Sequence, residues 1–253
     1  MTVVDRGSGP PLVLIPGLQG RWEYMRATVD ALAGYFRVIT FSLEGSDLDS
    51  YVQQVADALD EAGVDEAVVC GVSFGGLIAV RFAARHPARC KALVLASTPK
   101  PALTLRRRHQ IYLKMPWILG PLFLAETPFR VRRELRAAMP EPKARRRFSL
   151  AALKTFFGAP ISLRKMAERA RLVTGDAVAA DCLRVAAPTL VVTGEAHLDH
   201  VVPADGTAEY ERLIPRARRV VLPATGHLGT MTRPREFAAI VRAFVESHRD
   251  AAA

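Results

Sequence analysis

Cysteine is scarce in this chain. The 253 residues include three, Cys70, Cys90 and Cys182, an odd number with no Cys-x-x-Cys spacing. A disulfide framework or thiolate metal site needs more ligands at closer intervals, so these read as buried thiols. Long apolar runs are missing as well. No stretch reaches the roughly 18 residues that a bilayer span requires, and the start MTVVDRGSGP lacks the apolar segment of a signal peptide. The expectation is a cytoplasmic protein without a transmembrane segment. There is no H-x-x-x-H pair, no P-loop and no dinucleotide-type glycine fingerprint, so no metal and no organic cofactor is expected. Acid is also missing locally. Between Lys100 and Arg171, 18 Lys plus Arg stand against four Glu and no Asp, while the rest of the chain carries 17 against 21. A basic block confined to one third of the chain predicts a separate unit with its own surface role.

Apolar material is ample. Half the residues are hydrophobic and 24% are charged, which suits one large α/β domain with a sizeable buried core. Short apolar runs alternate with amphipathic stretches. Pro11 to Pro16, Phe36 to Leu43, Ala67 to Gly71 and Ala92 to Ala96 read as strands. Helical spacing marks Tyr24 to Leu32, Leu48 to Ala62 and Phe74 to Arg85, with Asp49 or Ser50 as the cap of the second. From about Thr98 to Val185 only helical stretches separated by prolines are found. Strand–helix alternation resumes with Pro188 to Thr193, Ala204 to Leu213, Arg219 to Leu222 and a last helix from Pro234 to His248. Alternation of this kind predicts a mostly parallel sheet with helices on both faces. The expected domains are a core of residues 1–97 and 186–253, and a helical unit of residues 98–185 inserted in it.

Chemistry concentrates at the strand-to-helix junction CGVSFGG. A serine nucleophile must expose its hydroxyl above the sheet while its backbone holds a strained turn. Gly71 and Gly75, two residues either side of Ser73, let strand and helix approach closely enough. The hydroxyl needs a base, and the base an orienting acid. His86 closes a helix before Pro87, His109 lies in a charge run, His197 and His200 flank a loop, and His248 lies in the charged last helix. His227 follows the strand RRVVLP within ATGHLG, whose small residues free the ring to reach Ser73. The acid should come from the end of the preceding strand, where PTLVVTGEAHLDHVVP offers Asp199 and Glu195. Asp199, before the turn into the next helix, is preferred, and Glu195 stays as the alternative.

The pieces PLVLIPGLQG, CGVSFGG, RHPARCKALVLAS, TGEAHLDHVVP and ATGHLG, in this order, resemble the α/β-hydrolase superfamily, in its serine-nucleophile branch with a helical cap, over nearly the full length. The resemblance implies that fold, the chain order Ser-Asp-His, and an oxyanion hole made by the backbone N–H groups of Leu18 and Phe74. It also implies a cap over the pocket at residues 98–185. Three departures stand out. Pro16-Gly17 replaces the usual His-Gly, which removes a side chain that helps order the oxyanion loop. The loop after FRVITFSL is short and lacks an Asp-x-Arg-Gly-type segment. The acid loop GEAHLDH is about two residues longer than usual, which keeps Glu195 in play. The chain also begins so close to its first central strand that the outermost N-terminal strand of the fold is expected to be missing.

Within the insertion, Tyr112, Trp117, Phe123 and Phe129 are the candidate pocket residues, or else the packing core of the cap itself. The runs Arg106 to Arg108 and Arg145 to Arg147 read as solvated helix faces, as attraction for an acidic partner or anionic substrate, or as a lipid contact. No motif for nucleic acid accompanies them. The leading functional expectation is hydrolysis of a carboxylic ester with a small to medium apolar acyl group. A thioesterase, an acyltransferase, a C–C bond hydrolase and a non-catalytic binding module are the alternatives. A haloalkane dehalogenase or epoxide hydrolase would carry Asp in place of Ser73.

Overall fold

A computed structural model of the chain describes residues 1–101, 107–174, 177–202 and 204–249. Arg106 and the side chains of Arg107, Arg108 and Phe123 lie outside what it describes. Among the described residues seven strands form one sheet: β1 (Val3–Arg6), β2 (Pro11–Ile15), β3 (Arg37–Phe41), β4 (Ala67–Val72), β5 (Cys90–Ala96), β6 (Thr189–Thr193) and β7 (Ala217–Val221). Their spatial order is β1-β3-β2-β4-β5-β6-β7, parallel throughout except where β1 pairs antiparallel with β3. The sequence reading had no strand before Pro11. β1 escaped it because VVDR is short and only half-buried on an edge, so burial leaves little pattern in it.

Side chains on a strand alternate between faces, and here both faces are covered. Val68, Cys70 and Val72 of β4 pack with Leu12, Leu14 and Val94. That face is closed by α1 (Arg26–Leu32), through Val29 and Leu32, and by a C-terminal helix spanning Pro234–Arg249, through Phe237, Val241 and Phe244. Val69, with Val13, Ile15 and Leu95, faces α2 (Leu48–Glu61) and α3 (Phe74–Arg85) on the other side. The cap of α2 is Asp47 rather than Asp49 or Ser50. Its carboxylate accepts from the Ser50 amide, and Ser50 Oγ in turn accepts from the Asp47 amide. The reciprocal bond is a capping box, with Ser50 as its third helical residue.

Between β5 and β6, among the described residues, the chain forms helices only: α4 (Arg107–Lys114), α5 (Pro116–Ala125), α6 (Thr127–Arg130), α7 (Arg132–Ala138), α8 (Pro142–Gly158), α9 (Leu163–Leu172) and α10 (Ala177–Cys182). Among the described residues three more α-helices follow, α11 (Ala208–Leu213), α12 (Gly229–Thr232) and α13, the C-terminal helix above. α10 is fastened to α3 by the ion pair of Arg81 with the mostly buried Asp181, at 2.9 Å. Among the described residues no helix is long and apolar enough to cross a membrane. Cys70, Cys90 and Cys182 are free and buried. Burial pushes the Cys90 thiol up to about 12 and Cys70 higher still, so neither presents a thiolate near neutral pH.

Parallel strands all deliver their carboxyl ends to one edge of the sheet. The loops after β2, β4, β6 and β7 therefore converge there, the place where open α/β sheets bind ligands.

Candidate active site

Ser73 occupies the single residue between β4 and α3. Its backbone sits at φ 53° and ψ −121°, a left-handed φ that costs a non-glycine residue of order 1–3 kcal/mol. The surroundings hold it there. Its amide donates to Ala96 O at 2.8 Å, and its carbonyl accepts from Gly76 N at 2.9 Å. The turn aims Oγ at the loop after β7, where His227 Nε2 lies 3.1 Å away.

His227 reaches that position because two loops touch backbone to backbone. A Cβ on Gly226 would stand 2.7 Å from the Leu198 carbonyl carbon and 2.9 Å from the Asp199 nitrogen. Only glycine permits this approach, and it brings Asp199 beside the imidazole. Asp199 Oδ2 lies 3.6 Å from His227 Nδ1, and both side chains are nearly buried. Nδ1 has no hydrogen-bond partner among the described residues. A separation of 3.6 Å exceeds a hydrogen bond, and closing it needs a shift of about half an ångström, of the kind expected when substrate binds. Burial pushes the Asp199 carboxyl up, but His227 and the amides of Val202 and Val201 outweigh it and hold the group below its ordinary value. Those amides donate to Oδ1 at 2.8 and 2.9 Å.

Glu195, the other sequence candidate, points elsewhere. Its Oε1 accepts from the amide of Ala224 at 2.8 Å, and its Oε2 lies 3.6 Å from the exposed His197. Ala224 has φ 57°, so Glu195 braces a strained residue three positions before His227.

Leu18 lies in the tight turn after β2, where Gly20 N donates to Gly17 O at 2.9 Å. A Cβ on Gly17 would stand 3.4 Å from Ser73 Cβ, so this turn flanks the serine. Phe74 begins α3 and is buried. By its position its N–H has no acceptor within the helix. The aromatic residues of the insertion are placed differently. Trp117 and Phe129 are 71% and 78% exposed, and Tyr112 OH bonds Glu126 at 3.3 Å.

Two buried charges went unread in the sequence. Glu134 of α7 is 1% exposed, and its Oε1 accepts from the Leu228 amide at 2.7 Å, next to His227. Burial raises its carboxyl above the ordinary value, against the Gly226 and Leu228 amides and His227; Asp199 adds to the rise. Arg169 of α9 is 2% exposed and bonds the turn containing Leu18. Each is one charge among many in a basic run. No local signal marked Arg169, since Met166, three residues before it on α9, is only half-buried.

The family model described as the alpha/beta hydrolase fold matches residues 10–234. Pimeloyl-(acyl-carrier protein) methyl ester esterase of Nitrosomonas europaea is 27% identical, covering 91% of this chain and 94% of that protein. 2-Hydroxymuconate semialdehyde hydrolase of a Pseudomonas sp. is 29% identical, covering 98% and 91%. Among solved structures, the bromoperoxidase of Bacillus anthracis superposes with a TM-score of 0.79 at 20% identity, covering 96% of this chain and 94% of that one.

Proposed function

The chain belongs to the α/β-hydrolase fold family, and on that premise we propose that it is a serine hydrolase cleaving a carboxylic ester of a small to medium apolar acyl group. One observation carries the reading: Ser73 Oγ stands 3.1 Å from His227 Nε2, and Asp199 lies against the other ring nitrogen. In this scheme His227 takes the Ser73 proton as Oγ attacks the ester carbonyl. Asp199, ionised because its carboxyl is held low, keeps the ring oriented and balances the imidazolium that forms. The Leu18 and Phe74 amides receive the oxyanion, and Phe74 adds the positive end of α3. His227 then returns the proton to the leaving alkoxide. Water, activated by the same ring, releases the acid from the acyl-enzyme.

The helices of residues 98–185 act in this reading as the cap that selects the acyl group. Support for an ester comes from the esterase relative, and the second relative is named as a hydrolase of a different substrate. A fluorophosphonate probe tests the nucleophile: wild-type protein labels and Ser73→Ala does not. Well-folded wild type that stays unlabelled removes the reading. Turnover of oxygen esters, thioesters and 1,5-diketones of graded acyl length tests the substrate class, and oxygen esters are expected to be fastest.

A further inference from the structure

In the turn after β2, Pro16 and Gly17 precede Leu18, and a side chain from the inserted helices reaches this turn. Arg169 enters from α9, some 150 residues along the chain, and its guanidinium is enclosed. Nη1 donates to Leu18 O at 3.2 Å and to Gln19 O at 3.1 Å. Nη2 donates to Leu43 O at 2.8 Å, and Nε to Tyr51 Oη at 3.1 Å. The guanidinium carbon also lies 5.9 Å from the centre of the Tyr51 ring. All four acceptors are neutral oxygens, so among the described residues the cation is solvated by the protein itself instead of paired with an acid. Gly20, at φ 71°, has room for no side chain, because a Cβ there would fall on the guanidinium. The planar fork is thus built into the turn.

We propose that Arg169 is the positioning residue of the oxyanion hole, through which the inserted helices set the backbone on which Leu18 presents its amide. The proposal rests on the reading of Ser73 and Leu18 given above. Fixing the carbonyls of Leu18 and Gln19, together with the Gly20-to-Gly17 bond, leaves the turn no freedom to rotate the Leu18 N–H away from the developing charge. Preorganisation of this kind lowers the barrier because the donor needs no reorientation during reaction. Arg169 itself touches no reacting atom, so its effect belongs to the transition state more than to substrate binding.

Kinetics on a p-nitrophenyl butyrate substrate test this in the intact protein. Arg169→Met and Arg169→Lys are expected to lower kcat about 10- to 100-fold, with KM changed by less than about threefold. Affinity for a trifluoromethyl ketone, which mimics the tetrahedral adduct, should fall by the same factor as kcat, a match that loss of stability alone would not produce. Arg164→Met, an exposed position on the same helix, is the control and should keep wild-type values. If the buried variants do not fold, Tyr51→Phe decides. It removes only the acceptor of Nε and should cut kcat about two- to fivefold at constant KM. Folded Arg169 variants with wild-type kcat, a kcat loss unmatched by ketone affinity, or an unchanged Tyr51→Phe when the Arg169 variants cannot be made, would each overturn the proposal. Failure of the Ser73 reading is recognised separately, since wild type would then not label with fluorophosphonate at all.

Discussion

Gly75→Ala measures how tightly the nucleophile turn is built. A Cβ on Gly75 would meet the Ile15 carbonyl oxygen first, and would stand 2.6 Å from Pro16 O and 2.9 Å from the Ile15 carbonyl carbon, where ordinary contact begins at 3.4 Å. The shortfall against Pro16 O is about 0.8 Å, and against Ile15 O it is larger. All three obstacles are backbone, so no rotamer change relieves it, and α3 must move away from the end of β2. Overpacking of this kind costs about 1–3 kcal/mol. At about 2–4 °C per kcal/mol in a chain of this size, the midpoint of thermal unfolding should fall by about 2–12 °C. The same displacement separates Phe74 from Leu18, the two proposed oxyanion donors. A misplacement near 1 Å costs on the order of 100-fold, so kcat should fall by about that factor with labelling by fluorophosphonate slowed in parallel. Gly76→Ala supplies the internal comparison. Its Cβ meets the Thr98 side chain, with Thr98 Cβ at 2.8 Å, so the double variant Gly76→Ala with Thr98→Gly should recover much of the loss. Thermal melts and ester kinetics on the three proteins decide the matter. The reasoning is refuted if Gly75→Ala melts and turns over like wild type, or if Thr98→Gly gives Gly76→Ala no relief.

Two further outcomes follow from the acids. Asp199→Asn should lower kcat about 10³- to 10⁴-fold by removing the charge that orients His227. Glu195→Gln, which can still accept from Ala224, should stay near wild type, and steady-state rates in the reverse order would assign the acid to Glu195. For Glu134 the sign runs opposite to an ordinary carboxylate. Its folded-state value is raised, so its stabilising contribution is complete below the ordinary glutamate range and is lost as pH rises through the raised value. Melting curves from pH 4 to pH 8 should therefore show Glu134→Gln gaining on wild type as pH increases, and a difference independent of pH would show that folding leaves the Glu134 carboxyl unshifted.

Legibility in the sequence tracked how local each determinant is. β2, β4 and β5 were plain as apolar runs, because strands buried on both faces need no polar positions. Ser73 was plain because a strained turn between strand and helix demands small residues at fixed offsets. His227 stood out through the small residues around it. Which of Asp199 and Glu195 lies beside His227 was not legible, since that depends on which way a loop bends around Gly226. β1 was missed through its brevity and its place on an edge. Arg169 and Glu134 were out of reach for another reason. Each is buried by partners more than 90 residues away, and in a block of 18 basic residues nothing local distinguishes a guanidinium that binds carbonyls from one that faces water. The aromatic residues proposed for the pocket illustrate the converse. Trp117 and Phe129 look like core in sequence yet stand in solvent.

The helices between β5 and β6 form one continuous insertion in the chain, but Glu134 and Arg169, buried against the core loops, keep it from being freely exchangeable. A chimera that replaced residues 98–185 with a helical block from a relative would remove Arg169 and Glu134 together. Three carbonyl oxygens, of Leu18, Gln19 and Leu43, and the Leu228 amide hydrogen would then lose their partners. Grafts that retune specificity should thus succeed only when the incoming block carries a cation and an anion at these two points, or when the recipient loops are rewritten to do without them.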